Sequence, residues 1–165
     1  MNILYRPIRQ NEVEQYFNLV NTIRDEGKYF FASLRSSMEE TYKDVKQHED
    51  KGFPICGVFL DDERLIGWID CNRGGFDEIA HTANIDMGIH IDFREKGIGR
   101  QLLERCIKSA KEGGIEKLEL DVLETNQRAY GLYRKTGFVE EGRRIKKRKY
   151  NGVYEDIITM GLFLG

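Results

Sequence analysis

The sequence predicts an α/β (α+β) fold: a mixed, mostly antiparallel central sheet of about seven strands with helices on both faces. Three observations carry this. Short apolar or alternating runs recur along the chain between turn residues. Two longer segments repeat apolar residues at three- and four-residue steps, the spacing of amphipathic helices. One of these helices lies between two strands, and a helical crossover brings such strands side by side in parallel.

The elements follow in order. Asn2 to Ile8 alternates and stops before Arg9-Gln10-Asn11, as a first strand does. Val13, Tyr16, Phe17, Val20 and Ile23 then share one helical stripe that ends near Gly27. Residues 28–34, Lys-Tyr-Phe-Phe-Ala-Ser-Leu, are aromatic without a period and predict a loop. Ser36-Ser-Met-Glu39 resembles a capping box and opens a polar helix to about Lys51. Phe53 to Leu60 and Leu65 to Cys71 are joined by Asp61-Asp62-Glu63-Arg64 and read as an antiparallel hairpin. Gly74-Gly75 breaks the chain before a further strand from Ala83 to Ile91.

Residues 86–113 organise the rest: a strand, a cationic turn containing glycine, and a helix. Arg94, Lys96 and Arg100 surround Gly97-Ile98-Gly99, after which Ile98, Leu102, Leu103, Cys106, Ile107 and Ala110 form one stripe. The helix therefore starts at or just before Gly97. A helix start offers unpaired N–H groups and roughly half a positive charge, so it suits a diphosphate. Glycines let phosphates approach the main chain. Lys117 to Leu123 alternates and should run parallel to the strand ending at Ile91. A short helix between Glu124 and Phe138 is opened by a cap residue and closed by Gly137. The last strands, about Val139 to Lys149 and Val153 to Phe163, meet at Asn151-Gly152, a strong hairpin signal.

Composition bounds the function. A chain of 165 residues fits one domain over residues 1–165, and 40% apolar with 33% charged residues describes a soluble globular protein. A net charge of −2 argues against a nucleic-acid partner. The basic run Arg143-Arg-Ile-Lys-Lys-Arg-Lys149 reads instead as a solvated sheet edge whose charges oppose aggregation. No apolar run of signal or membrane-spanning length occurs, so no membrane partner and a cytoplasmic location are expected. Cys56, Cys71 and Cys106 lack C-x-x-C spacing and read as core thiols; His48, His81 and His90 are scattered, and no metal is predicted.

The pattern Arg94-x-x-Gly97-x-Gly99, between an apolar strand and an amphipathic helix, resembles the acyl-CoA-binding motif of the GNAT N-acetyltransferase family. Asn126, Ala129, Leu132, Tyr133, Gly137 and Phe138 are similar to its second motif, and the resemblance is closest over residues 86–138. It implies a single N-acetyltransferase domain with acetyl-CoA as cosubstrate, transferring acetyl by direct attack of a primary amine. In the sheet, it implies that the parallel strands splay apart, so that the pantetheine arm meets the main chain around Met87, Gly88 and Ile89. The pyrophosphate would sit on Arg94, Glu95, Lys96, Gly97, Ile98, Gly99 and Arg100, with Glu95 contributing its backbone only. Asn126 and Ala129 fall on the cofactor side, and the Tyr133 hydroxyl would protonate the departing thiolate. By helical position alone, Tyr133 reads as core.

An alkyl amine is protonated at neutral pH, so a proton must leave before attack. Asp86, His90, Asp121 and Glu124 are the candidates, and a water chain is the alternative; the sequence does not choose. The C-terminal stretch from Tyr150, with Asp156, is similar to subgroups that modify free amino acids, protein N-termini or polyamines. Residues 25–34 stand where the family places its acceptor loop: Asp25 and Glu26 would attract an amine, and Tyr29, Phe30 and Phe31 would line an apolar pocket. A homodimer is the assembly that the resemblance suggests.

Two alternatives stand beside this reading. Gly97-x-Gly99 after a strand, with Glu119 or Asp121 about twenty residues on, fits a dinucleotide-binding domain. Leu102 in place of the third glycine and the terminal hairpin weigh against it. The other is a non-catalytic acyl-CoA-binding sensor, against which the presence of Tyr133 weighs.

Overall fold

Alternation along the strands sorts side chains onto the two faces of one sheet. The computed structural model describes residues 1–29 and 36–165. Its strands are β1 (Ile3–Pro7), β2 (Cys56–Leu60), β3 (Leu65–Arg73), β4 (Thr82–Ile89), β5 (Lys117–Leu123), β6 (Val139–Tyr150) and β7 (Val153–Phe163). They lie in the order β1-β2-β3-β4-β5-β7-β6. The β4–β5 pair is parallel and the remaining neighbours are antiparallel, as expected.

Helices α1 (Val13–Asp25) and α2 (Met38–Asp50) cover one face, and α3 (Ile98–Glu112) covers the other, where α4 (Gln127–Lys135) also packs. Adjacent strand residues show the sorting. Phe59 and Trp68 pack with α1 and α2, whereas Val58 and Ile69 pack with α3. The stripe of α3 docks it: Ile98, Leu102, Leu103, Cys106 and Ala110 are all buried. Truncating either leucine to alanine would cost about 2–5 kcal/mol.

The capping box of α2 sits one residue beyond the expected place. Ser37 accepts from the Glu40 amide at 3.1 Å, and Glu40 accepts from the Ser37 amide at 2.7 Å. Both registers satisfy the spacing, and the observed one turns Thr41, Val45 and His48 inward. The basic strand β6 is an exposed edge except at Arg148, which is 5% exposed. A bulge between Arg144 and Arg148 redirects the chain, so Arg148 pairs with Glu155 at 2.6 Å and donates to the Gly27 carbonyl.

The feature that positions the site is where the parallel pairing stops. Thr82, Ala83 and Asn84 pair with Lys117, Leu118 and Glu119, and the β4–β5 ladder ends there. Beyond it β4 stays with β3 as far as Ile89, and β5 stays with β7 as far as Leu123. Each strand follows its antiparallel partner, whose pairing is stronger per residue, and sheet twist carries the two apart.

Candidate active site

The turn ahead of α3 is shaped by two left-handed residues, Glu95 at φ 61° and Gly97 at φ 78°. Such turns gather successive N–H groups on one concave side. Gly97 is the N-cap of α3, and no side chain caps the helix start, so the first-turn amides stay open at the positive end of the helix. A Cβ on Gly99 would come no nearer than 3.6 Å to Met87 Cε. Protein packing therefore does not demand glycine at 99, and the missing side chain leaves the cleft wall low there.

A cleft of about 270 Å³ runs from this turn into the opening between β4 and β5. Met87, Gly88 and Ile89 line it from β4, and Asp121 and Val122 line it from β5. The turn contributes Arg94, Glu95, Gly97, Gly99 and Arg100; Asn126 and α4 contribute Ala129, Leu132 and Tyr133. The structure thus brings together most of the residues singled out in the sequence. Lys96 and Ile98 are the exceptions. Lys96 Nζ folds back to the Asp92 carbonyl at 2.9 Å, and the Ile98 side chain belongs to the core, so only its main chain is near the turn.

Several side chains are already engaged. The Arg94 guanidinium donates to Glu26 at 2.6 and 2.8 Å and to the Ile89 carbonyl at 2.8 Å. Arg100 pairs with Glu104 at 2.8 Å, one turn on. Asn126 caps α4 by accepting from the Ala129 amide at 3.3 Å. The turn therefore presents main-chain donors more than free cations. Of the proposed acceptor loop, Glu26 pairs with Arg94 and Tyr29 lines the cleft, while Phe30 and Phe31 lie outside the described residues.

Of the four candidate bases, Asp86 lines the cleft with no ion pair to a described residue, and its Oδ1 accepts from the adjacent Met87 amide at 3.0 Å. Asp121 lines the cleft but pairs with Arg144 and accepts from Thr159 at 2.8 Å. Glu124 accepts from the Asp156 amide at 2.8 Å and from Arg143 at 3.3 Å. His90 Nδ1 accepts from the Asp92 amide at 3.3 Å at the start of a short 3-10 turn. Asp86 is exposed into the cleft, where the protein packed around it thins the surrounding water and this desolvation pushes its carboxyl up to about 6.

Directly across the β3–β4 ladder from Asp86 lies Asp70, whose Oδ1 accepts from the Asp86 amide at 3.2 Å. Burial, then the nearby charge of Asp86, push Asp70 up to about 8. Tyr133 is 8% exposed, and burial followed by the Asp86 charge raises its phenol well above the usual range. It therefore keeps its proton and can donate it.

A second cavity, about 100 Å³, lies on the α1 side of the sheet and has Asp86 in common with the cleft. Arg24, Asp44, Trp68 and Asp70 are among its walls. Sequence reading missed these four. Asp70 did carry a signal, an acid inside the apolar run Leu65 to Cys71. Arg24 and Asp44 sit on polar helix positions that look like many others.

The sequence profile of the Acetyltransferase (GNAT) family matches residues 17–138. The [ribosomal protein bS18]-alanine N-acetyltransferase of Haemophilus influenzae is 28% identical over 162 residues, covering 94% of this chain and 91% of that protein. The spermidine N(1)-acetyltransferase of Vibrio cholerae is 27% identical over 160 residues, covering 94% and 89%. A GNAT superfamily phosphinothricin acetyltransferase from Sinorhizobium meliloti, solved in complex with AcCoA, has the same fold. Its TM-score is 0.92 at 16% identity, over 100% of this chain and 90% of that one. Among the described residues, no helix is long and apolar enough to cross a membrane.

Proposed function

We infer the reaction from the premise that this chain belongs to the acetyltransferase (GNAT) family, with acetyl-CoA as cosubstrate: the acetyl group moves to a primary amine by direct attack. The acceptor is an amino acid, a polyamine or a protein N-terminus. The observation that carries this reading is the end of the β4–β5 ladder at Asn84 and Glu119, beside a helix start without a side-chain cap. An opened strand edge can pair with the amides of an extended arm while the helix start holds its diphosphate.

In this reading the main chain from Glu95 to Arg100 holds the diphosphate, with Gly97 and Gly99 allowing close approach. Met87, Gly88 and Ile89 pair with the arm, and Asn126 and Ala129 border it. Asp86 accepts the proton from the acceptor ammonium, leaving the neutral amine to attack the thioester carbonyl. As the carbon–sulfur bond breaks, Tyr133 gives its phenolic proton to the departing thiolate, the attacking nitrogen releases its remaining extra proton to solvent, and Tyr133 regains one from solvent. Desolvation raises both groups, yet Asp86 still titrates below neutrality and Tyr133 well above it, which supports one as base and the other as acid.

The test combines thermal shift against acetyl-CoA, CoA and NAD with thiol release over a panel of amines. Stabilisation by acetyl-CoA and CoA, with thiol release on some amine, is expected. Stabilisation by NAD alone would replace the cofactor assignment, and CoA binding without turnover on any amine would favour a sensor.

A further inference from the structure

The second cavity holds an unusual balance of charge. Among the described residues, three carboxylates line it, Asp44, Asp70 and Asp86, together with one cation, Arg24. Asp44 is taken by His48, whose Nδ1 donates to the Asp44 carbonyl at 2.9 Å and lies 3.4 Å from its carboxylate. Burial opposes a charge on that ring, but the bonds to Asp44 outweigh it and raise the imidazole above its usual value. Asp70 keeps a proton at neutral pH because burial holds it near about 8. Among the described residues, what remains open on the cavity wall is one anion, Asp86, and one cation, Arg24.

The Arg24 guanidinium is half-buried and makes no hydrogen bond or ion pair with a described residue. Its charge reaches Asp86 strongly enough to stabilise the carboxylate, yet the two are not in contact. A ligand that carries an anion and a cation on neighbouring atoms would satisfy both walls at once.

We propose that this cavity binds the acceptor as an α-amino acid, with its carboxylate on Arg24 and its ammonium on Asp86, where the cleft begins. The assignment rests on the transferase reading above and chooses one class within it. A polyamine would place a second ammonium beside Arg24, a like-charge contact in a partly buried site. A protein N-terminus offers a neutral amide there and leaves the arginine without its anion. The volume, about 100 Å³, suits an ammonium, a Cα and a carboxylate. Tyr16, Phe17, Val20 and Trp68 add apolar wall, which favours an uncharged side chain.

The test measures thiol release from acetyl-CoA with L-leucine, leucinamide and isopentylamine, then with spermidine and a short peptide. Leucine is expected to exceed leucinamide and isopentylamine in kcat/KM by at least about tenfold, because a site built for a polar group rejects analogues that lack it. In Arg24→Gln that preference shrinks to within about threefold, through KM for leucine, and Arg24→Lys restores part of it. Equal rates on leucine and isopentylamine, or best turnover on spermidine or the peptide, would overturn the assignment while leaving the transferase reading intact. No thiol release on any of the five would overturn both.

Discussion

Glu26 and Arg94 form a two-pronged ion pair, with the guanidinium donating to both carboxylate oxygens at 2.6 and 2.8 Å. Both side chains are largely enclosed, 17% and 11% exposed, and Arg94 also lies over the Tyr29 ring at 4.9 Å. The end of α1, the turn before α3 and the end of β4 are thereby one unit. The first residue of the cofactor motif is thus spent on holding the turn in place.

Glu26→Gln should therefore destabilise the fold by about 1–3 kcal/mol, since it leaves an enclosed cation with half its partner. It should also weaken acetyl-CoA binding, because the turn loses its tether. Urea unfolding and a cofactor titration check this; wild-type values in both would show that the pair holds nothing in place.

The glycines of the site separate packing from function. A Cβ on Gly88 would lie 2.3 Å from the Trp68 ring, so Gly88→Ala should cost about 1–3 kcal/mol. Gly99→Val meets only ordinary contacts near its Cβ, so its melting temperature should move little while affinity for CoA falls. Gly97→Ala places a side chain at φ 78° and should cost about 1 kcal/mol as well as affinity. Thermal melts with and without CoA separate the three; Gly99→Val binding CoA as wild type does would place the cofactor elsewhere.

Stability should fall as pH rises from about 4 to about 8. The folded Asp70–Asp86 pair has raised pKa values, about 8 and about 6, so in this window the folded chain binds more protons than the unfolded one. Stability supplied by the protonated pair is complete below the unfolded carboxylate range and is lost as pH climbs through the folded values. Asp70→Asn should flatten that slope and raise the melting temperature at pH 8 by about 2–4 °C for each kcal/mol recovered. Melts from pH 4 to 9 on both proteins are the check, and parallel curves would show that the pair does not titrate this way.

Activity should depend on the same carboxylates with the opposite sense. A base works deprotonated, so kcat/KM should rise with pH through about 6, and Asp86→Asn should lower it by about 10²–10⁴. A flat profile in this range would point to water in place of Asp86.

Tyr133→Phe should lower kcat by about tenfold or more with little change in CoA affinity, because it removes only a proton donor. An unchanged kcat would return Tyr133 to the core, where it packs against Phe138 with ring centroids 5.7 Å apart.

Much of this was legible in the chain because it is written in local periodicity. The apolar stripe of α3, the Asn151-Gly152 hairpin and the alternating strands each need only a short window of sequence. The first cofactor motif is local too, since a turn and a helix start are built from neighbouring residues. Register at α2 was less legible, because Ser36 and Ser37 both have a glutamate three residues on and only packing of Val45 and His48 separates them.

The sequence by itself determined the sheet, its one parallel crossover, the helix faces and the glycine turn, since hydrophobic period and backbone chemistry act over a few residues. Only the tertiary structure decided that Asp70 faces Asp86, that Glu26 holds Arg94, and that Arg24 shares a cavity with both aspartates. Strand register and helix docking set those encounters between distant residues. Their charges become chemically distinctive only once burial takes water away from them.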